Sequence, residues 1–284
     1  MLIALLNKSS RYSGNPGLLT QIASAVSLQL SKHVVPAWGI VNWNCIYFSN
    51  EKDVPANAYR LWILNNSDQA DALGYHDQDP QGFPYGRVFV NPIIKSGGTD
   101  FSGPNSVSVT ISHEACEILG DPEVNCWRQM PDGNLTCQEL CDAVEGDAYP
   151  IDINGKKIFV SNFLLPAWFD LIPPKGSTFD YMKKLNKNFS MSKGGYMIVM
   201  TGGNVDNVYG SKSAKENFLK NSSKAHQSAR GFKRKNKLHK APALNDIVES
   251  EDKVIINNNK NNKIVDSKER VNKNTKSKKQ KENK

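Results

Sequence analysis

The spacing of apolar positions changes several times along this chain, and each change predicts an element. "MLIALL" is a short apolar run closed by the turn-rich "NKSSRYSGNPG", so it reads as a buried first strand. "LLTQIASAVSLQLSKHV" then sets Leu18, Ile22, Val26 and Leu30 four apart, the mark of an amphipathic helix. "IVNWNCIYF" and "YRLWIL" are rich in branched and aromatic residues and predict strands. "HDQDPQGFPYG" is a loop of turn formers, "RVFVNPII" resumes as a strand, and "KSGGTDFSGPN" interrupts the chain again.

A second helix follows, beginning near Ser106 as N-cap and stopping at Gly120 to Pro122, where Gly and Pro are expected past a helix end. Val107, Ile111 and Ile118 lie on one side of it. "KKIFVSNFLLPAWF" and "GYMIVMTGG" add strand-like pieces further on. Strands, a helix, more strands, one central helix and a β-rich remainder predict an α+β domain with a mixed sheet.

Charge divides the chain in two. From Gly210 onward 21 Lys/Arg stand against 8 Asp/Glu, leaving 15 against 20 in residues 1–209. The end of the chain, "INNNKNNKIVDSKERVNKNTKSKKQKENK", carries no aromatic residue and too few apolar ones to offset the entropy of ordering it. The expected boundaries are therefore a folded domain over 1–205 and a disordered Lys/Asn-rich tail over 206–284. Such a tail is either a solubilising appendage or, through residues 210–284, a weak salt-sensitive arm for nucleic acid or another acidic surface.

The five cysteines, Cys45, Cys116, Cys126, Cys137 and Cys141, form no CxxC pair, which argues against a disulfide framework and a four-thiolate zinc site. No signal peptide is evident, and no run reaches the eighteen or so apolar residues that span a bilayer. These features lead us to expect a cytoplasmic protein with no membrane partner.

The chemistry lies in the central helix. "VTISHEACEILGDP" contains His113, Glu114 and Glu117 as HExxE, one letter from the HExxH of zinc peptidases. Residues four apart on a helix lie one above the other, so His113 and Glu117 can reach one ion. Glu114 is rotated by about 100 degrees and flanks it. Zinc accepts a carboxylate in place of the second imidazole. The harder donor set also admits Mn²⁺ or Fe²⁺. The alternative is a satisfied core histidine beside a solvated acidic face. Against it, Glu117 sits among Cys116, Ile118 and Leu119, where an unpaired acid is costly.

A third ligand is expected from "CQELCDAVEGDAY", where Glu139, Asp142 and Glu145 share one face if the segment is helical. Glu139 follows Glu117 by 22 residues, a separation found in thermolysin-like enzymes between the active helix and a third glutamate on a second helix. Asp142 could then orient His113 from behind, with Glu145 near it. Asp121 either extends the acidic stripe or serves as a turn former before Pro122. His76 could ligate the metal or, like Tyr149, stabilise an oxyanion. Cys116 reads as a buried thiol; Cys137 and Cys141, spaced one helical turn apart beside Glu139, offer half of a thiolate site; Trp127, Trp168 and Phe169 read as core, or Trp168 and Phe169, beside Pro166, as the lining of a cleft.

Several blocks together, "ALGYHDQDPQGFPYGRVFV", "SVSVTISHEACEILGDPEVN", "CQELCDAVEGDAYPIDINGKKIFVSNFLLPAWF" and "GGYMIV", resemble a group of uncharacterised phage and bacterial proteins described as zincin-like. The resemblance covers roughly residues 1–200. It implies a single zincin-like domain around a metal-site helix. The matching polar positions are His76, His113, Glu114, Glu117, Asp121, Glu139, Asp142 and Glu145. It also suits a phage origin, with the protein in an infected host cell or associated with the virion.

The resulting expectation is a metal-dependent hydrolase, a zinc peptidase acting on protein or peptide. His113, Glu117 and Glu139 would hold Zn²⁺, and Glu114 would be the general base. The competing expectation is a non-enzymatic phage structural or accessory protein with a structural or vestigial metal site and a basic tail that contacts nucleic acid or virion partners.

Overall fold

The computed structural model describes residues 1–68 and 72–215. The apolar run at the start forms β1 (Leu2–Asn7), whose Ile3 to Leu6 are all buried. α1 (Pro16–Gln29) follows, capped by Asn15, whose side chain accepts the Leu18 N–H, with Pro16 in the first turn. It runs on through one π turn (Leu30–Val34) into α2 (Val35–Trp38) and ends at Gly39 in the left-handed region. Pro36 has no N–H to offer the preceding turn and its ring crowds that turn's carbonyl, which accounts for the widening.

β2 (Asn44–Phe48), β3 (Tyr59–Leu64), β4 (Gly74–Gln78) and β5 (Pro84–Phe89) complete a five-stranded sheet in the order β2-β1-β3-β5-β4. β1, β2, β3 and β5 are parallel, and β4 runs antiparallel to β5 at the edge. The sheet is therefore mixed, as expected.

Two sequence expectations change here. "HDQDPQGFPYG" is not all loop: His76 lies within β4, opposite Gly86 of β5. "RVFVNPII" is not one strand: after Phe89 it turns into α3 (Val90–Lys95). Pro92 explains the second change, because it cannot donate to a sheet ladder but is tolerated in a first helical turn. β5 is also flanked on both sides, by β3 and β4.

α4 (Val107–Gly120) starts and stops where its sequence signals place it. The Ser106 hydroxyl accepts the Val109 N–H, and beyond Gly120 the Asp121 carboxylate accepts the N–H groups of Asn125 and Cys126. The helix is wrapped almost completely, with buried positions running unbroken from Ile111 to Leu119. One side rests on β4 and β5; another meets the hairpin of β8 and β9 described below. Close approach needs glycine: a Cβ at Gly120 would clash with the Leu140 side chain.

β6 (Trp127–Gln129) and β7 (Leu135–Cys137) lead into β8 (Ala148–Ile153) and β9 (Lys156–Ser161). β8 and β9 form an antiparallel hairpin laid along α4. The Ser112 hydroxyl accepts the Ser161 N–H at 2.6 Å, and the Ser108 hydroxyl donates to the Phe159 carbonyl at 2.6 Å. β10 (Tyr196–Thr201) and β11 (Asn204–Tyr209) join β7 and β6 in a four-stranded sheet. Trp168 and Phe169 pack in a second apolar cluster with Val144, Leu164 and Met197, so they are core as read. Trp127 is only partly buried.

β11 runs through the domain boundary expected at 205, and the Gly210 N–H still donates to the Gly195 carbonyl at 2.7 Å. The ordered chain thus extends past that boundary, and the tail beyond residue 215 lies outside the described residues. Among the described residues no helix is long and apolar enough to cross a membrane.

Candidate metal centre

Three pieces of chain converge on Glu117. α4 brings His113, Glu114 and Glu117; β4 brings His76; and the segment after β7 brings Glu139 and Asp142. All six side chains are buried, from Glu117 at 0 % exposure to His113 at 9 %. Apolar neighbours on α4, Ile111, Ala115 and Ile118, fix the helix in the core and so fix where the polar side chains point.

The helical spacing delivers what the sequence promised: His113 Nε2 is 2.9 Å from Glu117 Oε1. The other Glu117 oxygen, Oε2, lies 3.3 Å from His76 Nδ1. Glu114 Oε2 approaches the same His76 nitrogen at 3.9 Å. Asp142 Oδ1 is 3.2 Å from His113 Nε2, and Glu139 Oε2 is 3.9 Å from His76 Nε2. Two overlapping sets, His76–Glu117–Glu139 and His113–Glu114–Glu117, bring three ligand atoms within 4.8 Å of one another, so either could hold a metal ion. Imidazole and carboxylate donors are the set that borderline and hard divalent cations take.

Burial opposes a charged His113, but the Glu117 carboxylate and hydrogen bonds to Asp142 and Glu117 outweigh it and hold its pKa well above the usual value. A buried carboxylate is costly unless it is paired or bound to a cation.

The structure rearranges the expected ligands. Glu139 falls in the set with His76, whereas Asp142 contacts His113. The 139–145 segment is not a helix: it holds one 3-10 turn (Asp142–Val144), and Glu145 caps it with extended backbone, half-buried. The second helix and the shared i, i+3 face are thus corrected, although Glu139 and Asp142 still reach the cluster. Cys137 ends β7 and Cys141 precedes the turn, so they are not one helical turn apart.

Asp121 takes the turn-former role, its carboxylate bound to Asn125 and Cys126 backbone N–H groups. Its backbone carbonyl lies 3.2 Å from His76 Nε2, a contact the sequence did not signal. Tyr149 places its hydroxyl 2.9 Å from His33 Nδ1, and its ring packs against Tyr181. Burial raises the Tyr149 pKa, so its hydroxyl stays protonated. Cys116 is a fully buried free thiol, as read. Cys141 lies near it, and burial together with the Cys116 thiol pushes the Cys141 pKa well up.

Gly74 is a further residue the sequence analysis missed. A Cβ there would come within 2.6 Å of Glu114 Oε1, so glycine makes the space that Glu114 occupies. Its signal was present in "GYH": in a strand, residues two apart share a face, and Gly74 and His76 both turn towards α4.

A scan against protein-family models and searches of curated proteins and solved structures return no match for this chain. The functional reading stands on the geometry of the site.

Proposed function

We propose that this chain is a metal-dependent hydrolase, with peptide bonds as its substrate class and zinc as the metal. The carrying observation is the convergence of two buried imidazoles and the Glu139 carboxylate around Glu117, with Asp142 at His113 and Glu114 3.9 Å from His76. The resemblance to zincin-like phage proteins points the same way.

Glu117, His113, His76, Glu139 and Asp142 are the donors that would hold the cation. A bound divalent cation supplies Lewis acidity and lowers the pKa of a water towards about 7. Glu114 is held by α4 next to these donors, where its carboxylate would accept a proton from the attacking water and pass it to the leaving amine. His113 is the most exposed of the six, so substrate approaches from its side.

Near-complete burial of the cluster favours a second reading, in which the metal clips β4, α4 and the 139–142 segment together and no catalysis occurs. Such a clip would suit a phage structural or accessory protein. The two separate at Glu114. Zinc-loaded protein is assayed on unfolded casein and a mixed peptide library, with bound metal measured in parallel. The hydrolase reading expects Glu114→Gln to lower turnover by about 10²-fold or more while metal content holds. Absence of turnover in the wild type, with chelation melting the domain, supports the clip.

A further inference from the structure

Glu117 divides its two oxygens between two imidazoles. Oε1 lies 2.9 Å from His113 Nε2, and Oε2 lies 3.3 Å from His76 Nδ1. Each imidazole also has its own second acid: Asp142 at 3.2 Å for His113, and Glu139 at 3.9 Å for His76. Two sets of donors that could each hold an ion, His76–Glu117–Glu139 and His113–Glu114–Glu117, share Glu117 and otherwise draw on different residues; Asp142 adds a further oxygen at the same His113 nitrogen that Glu117 faces.

A carboxylate that faces two donor groups with separate oxygens is the arrangement that bridges a pair of cations, which in two-metal sites lie about 3.5–4 Å apart.

We propose that the cluster is a binuclear site: one divalent cation held by His113, Asp142 and Glu117, a second by His76, Glu139 and Glu117, with Glu117 as the bridge. The proposal rests on the metal-site reading above. Asp142 thereby becomes a ligand in its own right and not a residue that orients His113 from behind. Glu114 stays beside the pair as the proton acceptor.

The test uses Mn²⁺, because the five cysteines would bind zinc adventitiously and thiolates select against manganese. Metal-free full-length protein is titrated with MnCl₂ and followed by calorimetry, elemental analysis after dialysis, and electron paramagnetic resonance. Two ions per chain with an exchange-coupled spectrum are expected. Asp142→Asn should lower the count to one uncoupled ion, and Glu117→Gln should abolish the coupling. Saturation at one ion per chain overturns the bridge and leaves the single-metal hydrolase intact. No binding above that of a His76→Ala/His113→Ala control overturns both. Two uncoupled ions also overturn it, since they place the second ion outside the bridge.

Discussion

Gly74 and Glu114 touch across the boundary between β4 and α4, so closely that a Cβ on Gly74 would sit 2.6 Å from Glu114 Oε1 and 2.9 Å from Thr110 Cγ2. The strand makes room for the proposed general base. Gly74→Ala should therefore push Glu114 aside, at a cost typical of overpacking, about 1–3 kcal/mol. Hydrolysis should fall by more than the loss of folded protein accounts for, while bound metal changes little. Denaturant melts, metal analysis and turnover on the same preparation check this.

Metal should stabilise the fold, because its donors come from β4, α4 and the segment after β7. A cation at 100 times its Kd adds about 2.7 kcal/mol. The melting temperature should rise with added Zn²⁺ or Mn²⁺ and fall with chelator. Glu117→Gln should flatten that response, which differential scanning fluorimetry would show.

The entry to α4 is tied down by another carboxylate. Arg11 donates to both Asp100 oxygens, at 2.7 and 2.9 Å, and the Tyr12 hydroxyl donates to one of them at 2.7 Å. The Asp100 carbonyl accepts the Ser108 N–H at the start of the helix. The Arg11 hydrogen bond, aided by Tyr12, holds the Asp100 carboxyl below its usual pKa despite partial burial. A depressed folded-state pKa stabilises above the unfolded value, about 3.9, and the contribution is lost as pH falls through the folded value. Asp100→Asn should thus cost about 1 kcal/mol or less at pH 7, given solvent screening, and the gap to wild type should close below about pH 3.9. Urea melts at pH 7 and pH 3 measure it.

The basic tail gives a separate expectation. Truncation after Lys235, which removes most of the basic residues of the tail, should leave metal content and hydrolysis unchanged. If the tail binds nucleic acid, the full chain's affinity should fall steeply with salt and the truncated chain should show little. Binding to a fluorescent oligonucleotide at about 50 and 200 mM salt decides it.

What the sequence revealed was local. Ser106, Gly120 and the four-residue spacing of His113 and Glu117 sufficed to place α4 and one contact of the centre, because caps and helical neighbours are set by adjacent residues. The other half depends on long-range pairing. His76 reads as loop because "DQDPQG" follows it, and only its antiparallel pairing with β5 puts it in a strand facing Glu117. Glu139 and Asp142 suggested a helix by their spacing, yet they meet the cluster from a short turn whose path is set by packing against α4, as Leu140 does against Gly120. Which acid serves which histidine was therefore beyond any period in the sequence.

Metal content per chain bears most directly on the whole account. The protein is purified without chelator and analysed beside its His76→Ala/His113→Ala variant, with circular dichroism confirming that both are folded. The account predicts stoichiometric divalent metal in the wild type and its loss in the variant. A folded wild type that holds no divalent metal and takes up none on titration would contradict it.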